Sequence, residues 1–201
     1  MSRRAGERAA VTSFGQHAED NLRFIRRTME RSSTFTAVPG LGGAGMGAIG
    51  LTAAVLAANQ PSVERWLVVW LLAAPVALGV GVTAMWRKAA RSGAPLVGAV
   101  GRRFGLGMAA PLVAAAAITY ALWRAGDYAV MAPTWLLLYG AGVVAGGMFS
   151  VPVVRAMGVC FMAAGIAAIV TPQDWANSWL AIGFGGLQIA FGIHIARHHG
   201  G

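Results

Sequence analysis

Residues 127–174, DYAVMAPTWLLLYGAGVVAGGMFSVPVVRAMGVCFMAAGIAAIVTPQD, decide the fold of this chain. The 46 residues between Asp127 and Asp174 carry a single charge, that of Arg155. A membrane-spanning helix needs about 20 apolar residues, so this stretch is long enough for two crossings. A cation at the bilayer midplane costs at least ~2.5 kcal/mol, so we place Arg155 at the turn of a helical hairpin.

The composition of the whole chain agrees with a membrane protein. Of 201 residues, 57% are hydrophobic and 11% are charged, which argues against an ordinary soluble domain. The net charge of +9 does not indicate nucleic acid binding, because the basic residues recur between apolar runs and form no single patch. One cysteine, Cys160, excludes an internal disulfide and a CxxC pair. We also expect no signal peptide, since a long polar segment precedes the first apolar run.

The apolar runs predict an all-α, polytopic membrane bundle of six transmembrane helices. Residues 1–34 form a cytoplasmic tail with a basic amphipathic helix, and residues 35–201 form the transmembrane domain. The predicted crossings are about 38–58, 64–86, 105–123, 133–149, 153–171 and 176–196. Residues 87–103 are predicted to be the longest connection, with Ser62 and Asp174 as N-caps of the second and sixth crossings.

Positive charge is concentrated on one side of this predicted topology. Fourteen of the sixteen basic residues fall on the side of the termini, and the other side holds only Arg65 and Arg124. The positive-inside rule then predicts cytoplasmic termini. We expect a multi-pass protein of a bacterial inner membrane.

The segment 17–31, HAEDNLRFIRRTMER, has the period of an amphipathic helix. Its apolar face and its basic face are candidate contact surfaces, formed by Leu22, Ile25 and Met29 and by Arg23, Arg26 and Arg27, respectively. Two interpretations remain open: the helix lies on anionic lipid headgroups, or it docks a cytoplasmic protein.

Two patterns concern helix packing. Small residues four apart, which allow close approach of membrane helices, occur as Gly43-xxx-Gly47 and Gly142-xxx-Gly146. Trp-Leu also opens each even-numbered crossing, at positions 66, 135 and 179. This second pattern fits three repeated hairpins, and it equally fits the general enrichment of tryptophan at membrane interfaces.

Few polar groups are available for chemistry within the crossings. None of the crossings has a centrally placed Asp, Glu, Lys or Arg, which argues against ion-coupled pumps. Gln188 is the polar residue that we single out for a functional role, since it can bond to a neighbouring helix. His194 and His198 have the i, i+4 spacing of metal ligands, but no carboxylate is placed to orient their rings. We therefore expect no metal, no cofactor and no catalytic set.

The chain resembles a family of uncharacterised six-helix bacterial membrane proteins. The resemblance rests on DNLRFIR and TME in residues 20–30, FTAVPG at 35–40, YGAGVV at 139–144, and FGGL through FGI to ARHHGG at the end. It implies the six-helix topology and supplies no activity. The family pattern has histidine at the position of Gln188, which weakens a ligand role there.

The sequence therefore leads to two functional hypotheses. The first is a non-enzymatic accessory, sensory or regulatory membrane protein that acts through cytoplasmic contacts. The alternative is a small transporter or channel for an apolar or weakly polar solute, favoured by glycine-rich and proline-containing helices. Membrane lipid, a cytoplasmic protein and a second copy of the chain are the partners considered.

Overall fold

The computed structural model describes Leu22, residues 38–92 and residues 98–199. Contacts divide the chain into two units, Met1–Thr34 and Phe35–Gly201. The described part of the second unit is built from six helices. They are α1 (Gly40–Ala58), α2 (Val63–Ser92), α3 (Ala99–Ala125), α4 (Met131–Gly147), α5 (Pro152–Val170) and α6 (Ala176–Leu180, continuing through Ala181–Leu187 to Gln188–His199).

Length and composition make these helices consistent with a multi-pass membrane protein. Five are at least 18 residues long and apolar enough to cross a membrane, and α4 is a shorter apolar helix of 17 residues. At ~1.5 Å per residue, α4 spans about 25 Å, somewhat less than a typical hydrocarbon core of about 30 Å. Large apolar side chains on the outside, such as Val113 and Leu72, are expected where the surrounding solvent is lipid.

The helices around the connection 87–103 are longer than predicted. Helix α2 continues to Ser92 and α3 begins at Ala99, so most of the described connection is helical. The prediction followed hydropathy, which marks the limits of the apolar core. Arg, Lys and Ala are good helix formers, so the helices extend past those limits.

The local chemistry of the helix ends explains several boundaries. The backbone N–H of Arg65 donates to Ser62 Oγ at 3.4 Å, which agrees with the predicted N-cap of α2. Pro152 opens α5, where its missing N–H costs nothing, and Arg155 lies in the first turn after residues 148–151. Helix α3 ends at Ala125 and is followed by Gly126, whose left-handed φ of 72° favours glycine.

The predicted N-cap at Asp174 is wrong. Asp174 lies inside a short 3₁₀ turn, Gln173–Trp175, that precedes α6. The residue at the N-cap position is Trp175, which makes no side-chain capping bond. Pro172 starts this extra turn and moves the beginning of the α-helix two residues beyond the aspartate.

The pairing of the helices determines where a site can form. Helix α1 packs against α2 and α6, and α4 packs against α3 and α5. Helix α6 also contacts α4 and α5, mainly through its first half. Helices α2 and α3 follow one another in the chain but do not pack together along their length. Among the described residues, the bundle is therefore open between α2 and α3.

The three Trp-Leu pairs have similar surroundings in the structure. Leu67, Leu136 and Leu180 are all buried, at 4%, 0% and 0% exposure. Each adjacent indole is half-buried and donates a hydrogen bond, to Asn177, Thr119 and Thr171 respectively. The leucines thus point into the bundle while the indoles bind polar groups near the helix ends.

Candidate functional site

A cavity of about 450 Å³ lies between five of the helices. Residues of α1, α2, α3, α4 and α6 line it, and most of its wall is aliphatic or aromatic carbon. This volume falls within the ~300–1,000 Å³ typical of small-molecule sites. We call it the central cavity; prominent residues of its wall are Met46, Trp70, Met108, Tyr139, Phe184 and Gln188.

A pair of polar side chains from two helices meets in the wall of the central cavity. Gln188 of α6 is 4% exposed, and its amide nitrogen donates to Tyr139 Oη of α4 at 3.1 Å. The same amide nitrogen lies 3.6 Å from the sulfur of Met46 on α1. The expectation that Gln188 bonds to another helix agrees with this geometry. Its partner, Tyr139, was not identified from the sequence.

Aromatic rings surround this polar pair. The Tyr139 ring lies 4.7 Å from that of Phe161 and 5.1 Å from that of Phe184, measured between centroids. The Phe184 ring is in turn 6.2 Å from Trp70. These distances are in the range in which aromatic pairs attract each other. The rings therefore form a fixed, mostly apolar wall around two hydrogen-bonding groups.

The segment of α6 that leads to Gln188 is π-helical. Residues Ala181–Leu187 adopt this wider turn, and they include Phe184 and two buried glycines, Gly183 and Gly185. Single-turn π segments inside α-helices are rare and occur frequently at functional sites. The sequence signal was weak, because a glycine-rich run such as residues 183–186 also fits ordinary close packing.

Asn177 connects three helices at the end of the bundle where α6 begins. Its Oδ1 accepts hydrogen bonds from the indole N–H groups of Trp66 and Trp70, at 3.1 and 3.2 Å. Its Nδ2 donates to the backbone oxygen of Ala54 at 2.9 Å. We call this group the Asn177 cluster. It joins α6 to α1 and α2, and no pattern in the sequence points to Asn177.

A stacked pair of indoles bridges α2 and α4 beside this cluster. The rings of Trp66 and Trp135 lie 5.7 Å apart with an interplanar angle of 4°. Trp135 also lines the central cavity, and its indole donates to Thr119 Oγ1 of α3 at 2.7 Å. The hydroxyl of Thr119 donates in turn to the backbone oxygen of Ala115, as expected for a threonine in a membrane helix.

The four glycines singled out for packing face neighbouring helices. A Cβ on Gly47 would lie 2.5 Å from a side-chain carbon of Ile189 on α6, and one on Gly43 would lie 3.3 Å from the Cα of Gly192. On α4, Gly142 and Gly146 face α3. Their added Cβ atoms would lie 3.3 Å and 3.0 Å from the carbonyl oxygens of Met108 and Phe104, respectively.

The histidine pair lies apart from the central cavity, at the end of α6. The rings of His194 and His198 are exposed and stacked, with centroids 4.4 Å apart. Nδ1 of His198 lies 3.0 Å from the backbone oxygen of His194. Within residues 38–92 and 98–199, His, Cys, Asp and Glu form no group of three able to hold a metal ion.

The candidate contact residues of the N-terminal helix lie outside the described residues, with one exception. Leu22 is helical with an exposed side chain. Both interpretations of that helix therefore stay predictions.

A second concavity, of about 460 Å³, lies on the outer face between α1 and α2. Its aliphatic wall includes Leu56 and Leu72, which are more than half exposed. Its one hydroxyl, that of Thr52, donates to the backbone oxygen of Ala48 at 2.9 Å. This groove resembles an ordinary lipid-facing surface, so the central cavity is the candidate site.

Comparisons of the chain with family models, curated proteins and solved structures find no match. The resemblance to the six-helix membrane family is therefore an expectation from the sequence. Any functional conclusion must rest on the geometry of the helices.

Proposed function

We propose that this protein is a non-enzymatic integral membrane protein that binds a small apolar or weakly polar molecule within its helix bundle. The observation that carries this proposal is the central cavity, whose wall is apolar except for a few hydrogen-bonding groups. Such a wall recognises a ligand mainly by burial of apolar surface, with a small number of polar groups fixing its orientation. A carrier and a membrane-embedded receptor would both need such a site.

The distribution of charge supports the orientation proposed for the protein. If consecutive helices cross in alternating directions, the ends of α2, α5 and α6 that carry Arg91, Arg155 and Arg197 lie on one side. Arg65 and Arg124 then lie near helix ends on the opposite side. Basic residues favour the cytoplasmic side, so these three ends, and both termini of the chain, would face the cytoplasm.

A matched pair of substitutions on α3 tests the proposed binding site. Ala116 lines the central cavity, whereas the adjacent Ala117 is exposed and lies outside its wall. Ala116→Trp should fill the cavity, and Ala117→Trp should place the same indole toward lipid.

Native mass spectrometry of gently extracted protein measures the outcome. We expect a co-purified small molecule with the natural chain and with Ala117→Trp, and its loss with Ala116→Trp. Equal occupancy in both variants, or only phospholipid in all three proteins, would contradict the proposal.

Regulation through a cytoplasmic partner is a second candidate function, favoured by the amphipathic pattern of residues 17–31. Burying Leu22, Ile25 and Met29 would stabilise docking by several kcal/mol, at roughly 1.5–3 kcal/mol for each fully buried side chain. Leu22→Asp with Ile25→Asp should therefore release a co-purifying cytoplasmic protein without changing membrane insertion. A pull-down of the natural chain that contains only lipid and self would argue against this role.

A further inference from the structure

We infer that the ligand of the central cavity is a lipid-soluble ring compound with a hydroxyl or carbonyl oxygen, which enters sideways from the bilayer between α2 and α3. This inference rests on the binding function proposed above and specifies the chemistry of the ligand. Three features carry it: the position of the opening, the partners of Gln188 and the aromatic wall.

The opening of the central cavity faces the surrounding lipid. Leu71 and Leu78 of α2 line the cavity and are 48% and 53% exposed, and Ala116 of α3 lines it and is also exposed. Leu78 lies near the middle of α2, and Leu71 and Ala116 lie eight and nine residues inside the nearer ends of α2 and α3, or roughly 12–14 Å from those ends. A mouth at this depth, with apolar edges, admits molecules dissolved in the hydrocarbon and disfavours ions and strongly polar solutes.

The amide of Gln188 can form a stronger hydrogen bond than it has in the structure. Its nitrogen carries two N–H groups, which reach Tyr139 Oη at 3.1 Å and the thioether of Met46 at 3.6 Å. A thioether is a weak acceptor, and the methionine side chain is flexible enough to move aside. A hydroxyl or carbonyl oxygen of a ligand would replace that sulfur with a better acceptor.

The aromatic wall favours a ring next to that oxygen. Trp70, Tyr139 and Phe184 present three rings to the cavity, and a planar ligand ring can pack against them face to edge or offset. An apolar tail attached to the ring would leave through the mouth into lipid. The ligand thus has a polar oxygen at the inner wall and a tail in the bilayer.

Two probes that differ by one oxygen test the inference. 4-Decylphenol and decylbenzene share the ring and the tail, and a binding-induced rise in Tm of the detergent-solubilised protein gives the apparent affinity of each. We expect tighter binding of the phenol, and a loss of roughly three- to tenfold for the phenol in Gln188→Leu, as for one hydrogen bond. Decylbenzene should change by less than about twofold. Gln188→Met, which removes the amide but keeps an unbranched side chain of similar length, should show the same selectivity and replaces Gln188→Leu if that variant does not fold.

The outcomes separate this inference from the proposed function. Equal affinities of the two probes, unchanged by Gln188→Leu or Gln188→Met, would overturn the ligand class. If Ala116→Trp at the mouth still abolished binding of both probes, the cavity would remain a binding site. If Ala116→Trp, compared with Ala117→Trp, altered neither probe, the site itself would be refuted, and the inference with it.

Discussion

Removing the side chain of Asn177 should destabilise the bundle more than any neighbouring polar truncation. Asn177→Ala deletes three hydrogen bonds that join α6 to α1 and α2. Hydrogen bonds between membrane helices are worth ~0.6 kcal/mol on average and up to ~1.7 kcal/mol. Three average bonds give about 2 kcal/mol, and the two indoles left without a partner raise the expected loss to about 2–4 kcal/mol.

Two further substitutions separate the contributions within the Asn177 cluster. Asn177→Asp keeps an oxygen for Trp66 and Trp70 but cannot donate to the carbonyl of Ala54, so its loss of stability should be distinguishable from that of Asn177→Ala. Ser178→Ala is the control, because Ser178 is the next residue on α6 and is exposed. It should change stability by less than about 0.5 kcal/mol.

The free energy of unfolding in mixed micelles, followed by circular dichroism during titration with sodium dodecyl sulfate, measures these effects. A double-mutant cycle of Asn177→Ala with Trp66→Phe should give a coupling energy above about 0.5 kcal/mol. If Asn177→Ala and Ser178→Ala lost equal stability, or if the coupling were zero, the cluster would not hold the helices together.

Two other predictions concern packing and orientation. Gly142→Leu with Gly146→Leu should overpack the contact of α4 with α3 and lower the free energy of unfolding by about 1–3 kcal/mol. Gly105→Leu is the control, since that position has open space around it, and it should have little effect. Similar thermal unfolding of the two proteins would argue against close packing between α3 and α4. In a cysteine-free background, single cysteines at Ser62 and Ser92 test orientation with an impermeant maleimide in intact cells. We expect labelling at position 62 and protection at position 92, and the reverse result would invert the proposed topology.

Much of the fold could be predicted from the sequence because apolar runs are local signals. Hydropathy located all six helices of the described region, with α1 within about two residues of its observed bounds at each end. It could not place the charged ends of α2 and α3, because hydropathy indicates only which residues lie in an apolar environment. Whether the backbone stays helical beyond that environment depends on helix propensity. The prediction at Asp174 failed for a related reason, since a preferred capping residue does not fix where the first turn begins.

The candidate site depended on contacts between distant parts of the chain. Gln188 stands out in the sequence because a buried amide in an apolar helix needs a hydrogen-bond partner. That partner, Tyr139, lies 49 residues earlier, and no pattern near either residue indicates that the two side chains meet. Asn177 looked like an ordinary polar residue near a helix start, and its partners Trp66 and Trp70 lie more than one hundred residues before it. The central cavity lies where α2 and α3 do not pack together along their length in the described part of the chain, and the hydropathy of one segment cannot predict such a gap.

The contact between the first and last helices affects how the protein is made. The glycine face of α1, including Gly47, packs against α6, so this surface lacks that partner until α6 has been synthesised. At ~5–20 residues per second, the 117 residues between α1 and α6 take on the order of ten seconds to translate. Over that interval α1 must be stable in lipid with only α2 as a close neighbour. The wall that contains Gln188 is made after the other five helices, so the central cavity cannot form before α6 has been synthesised.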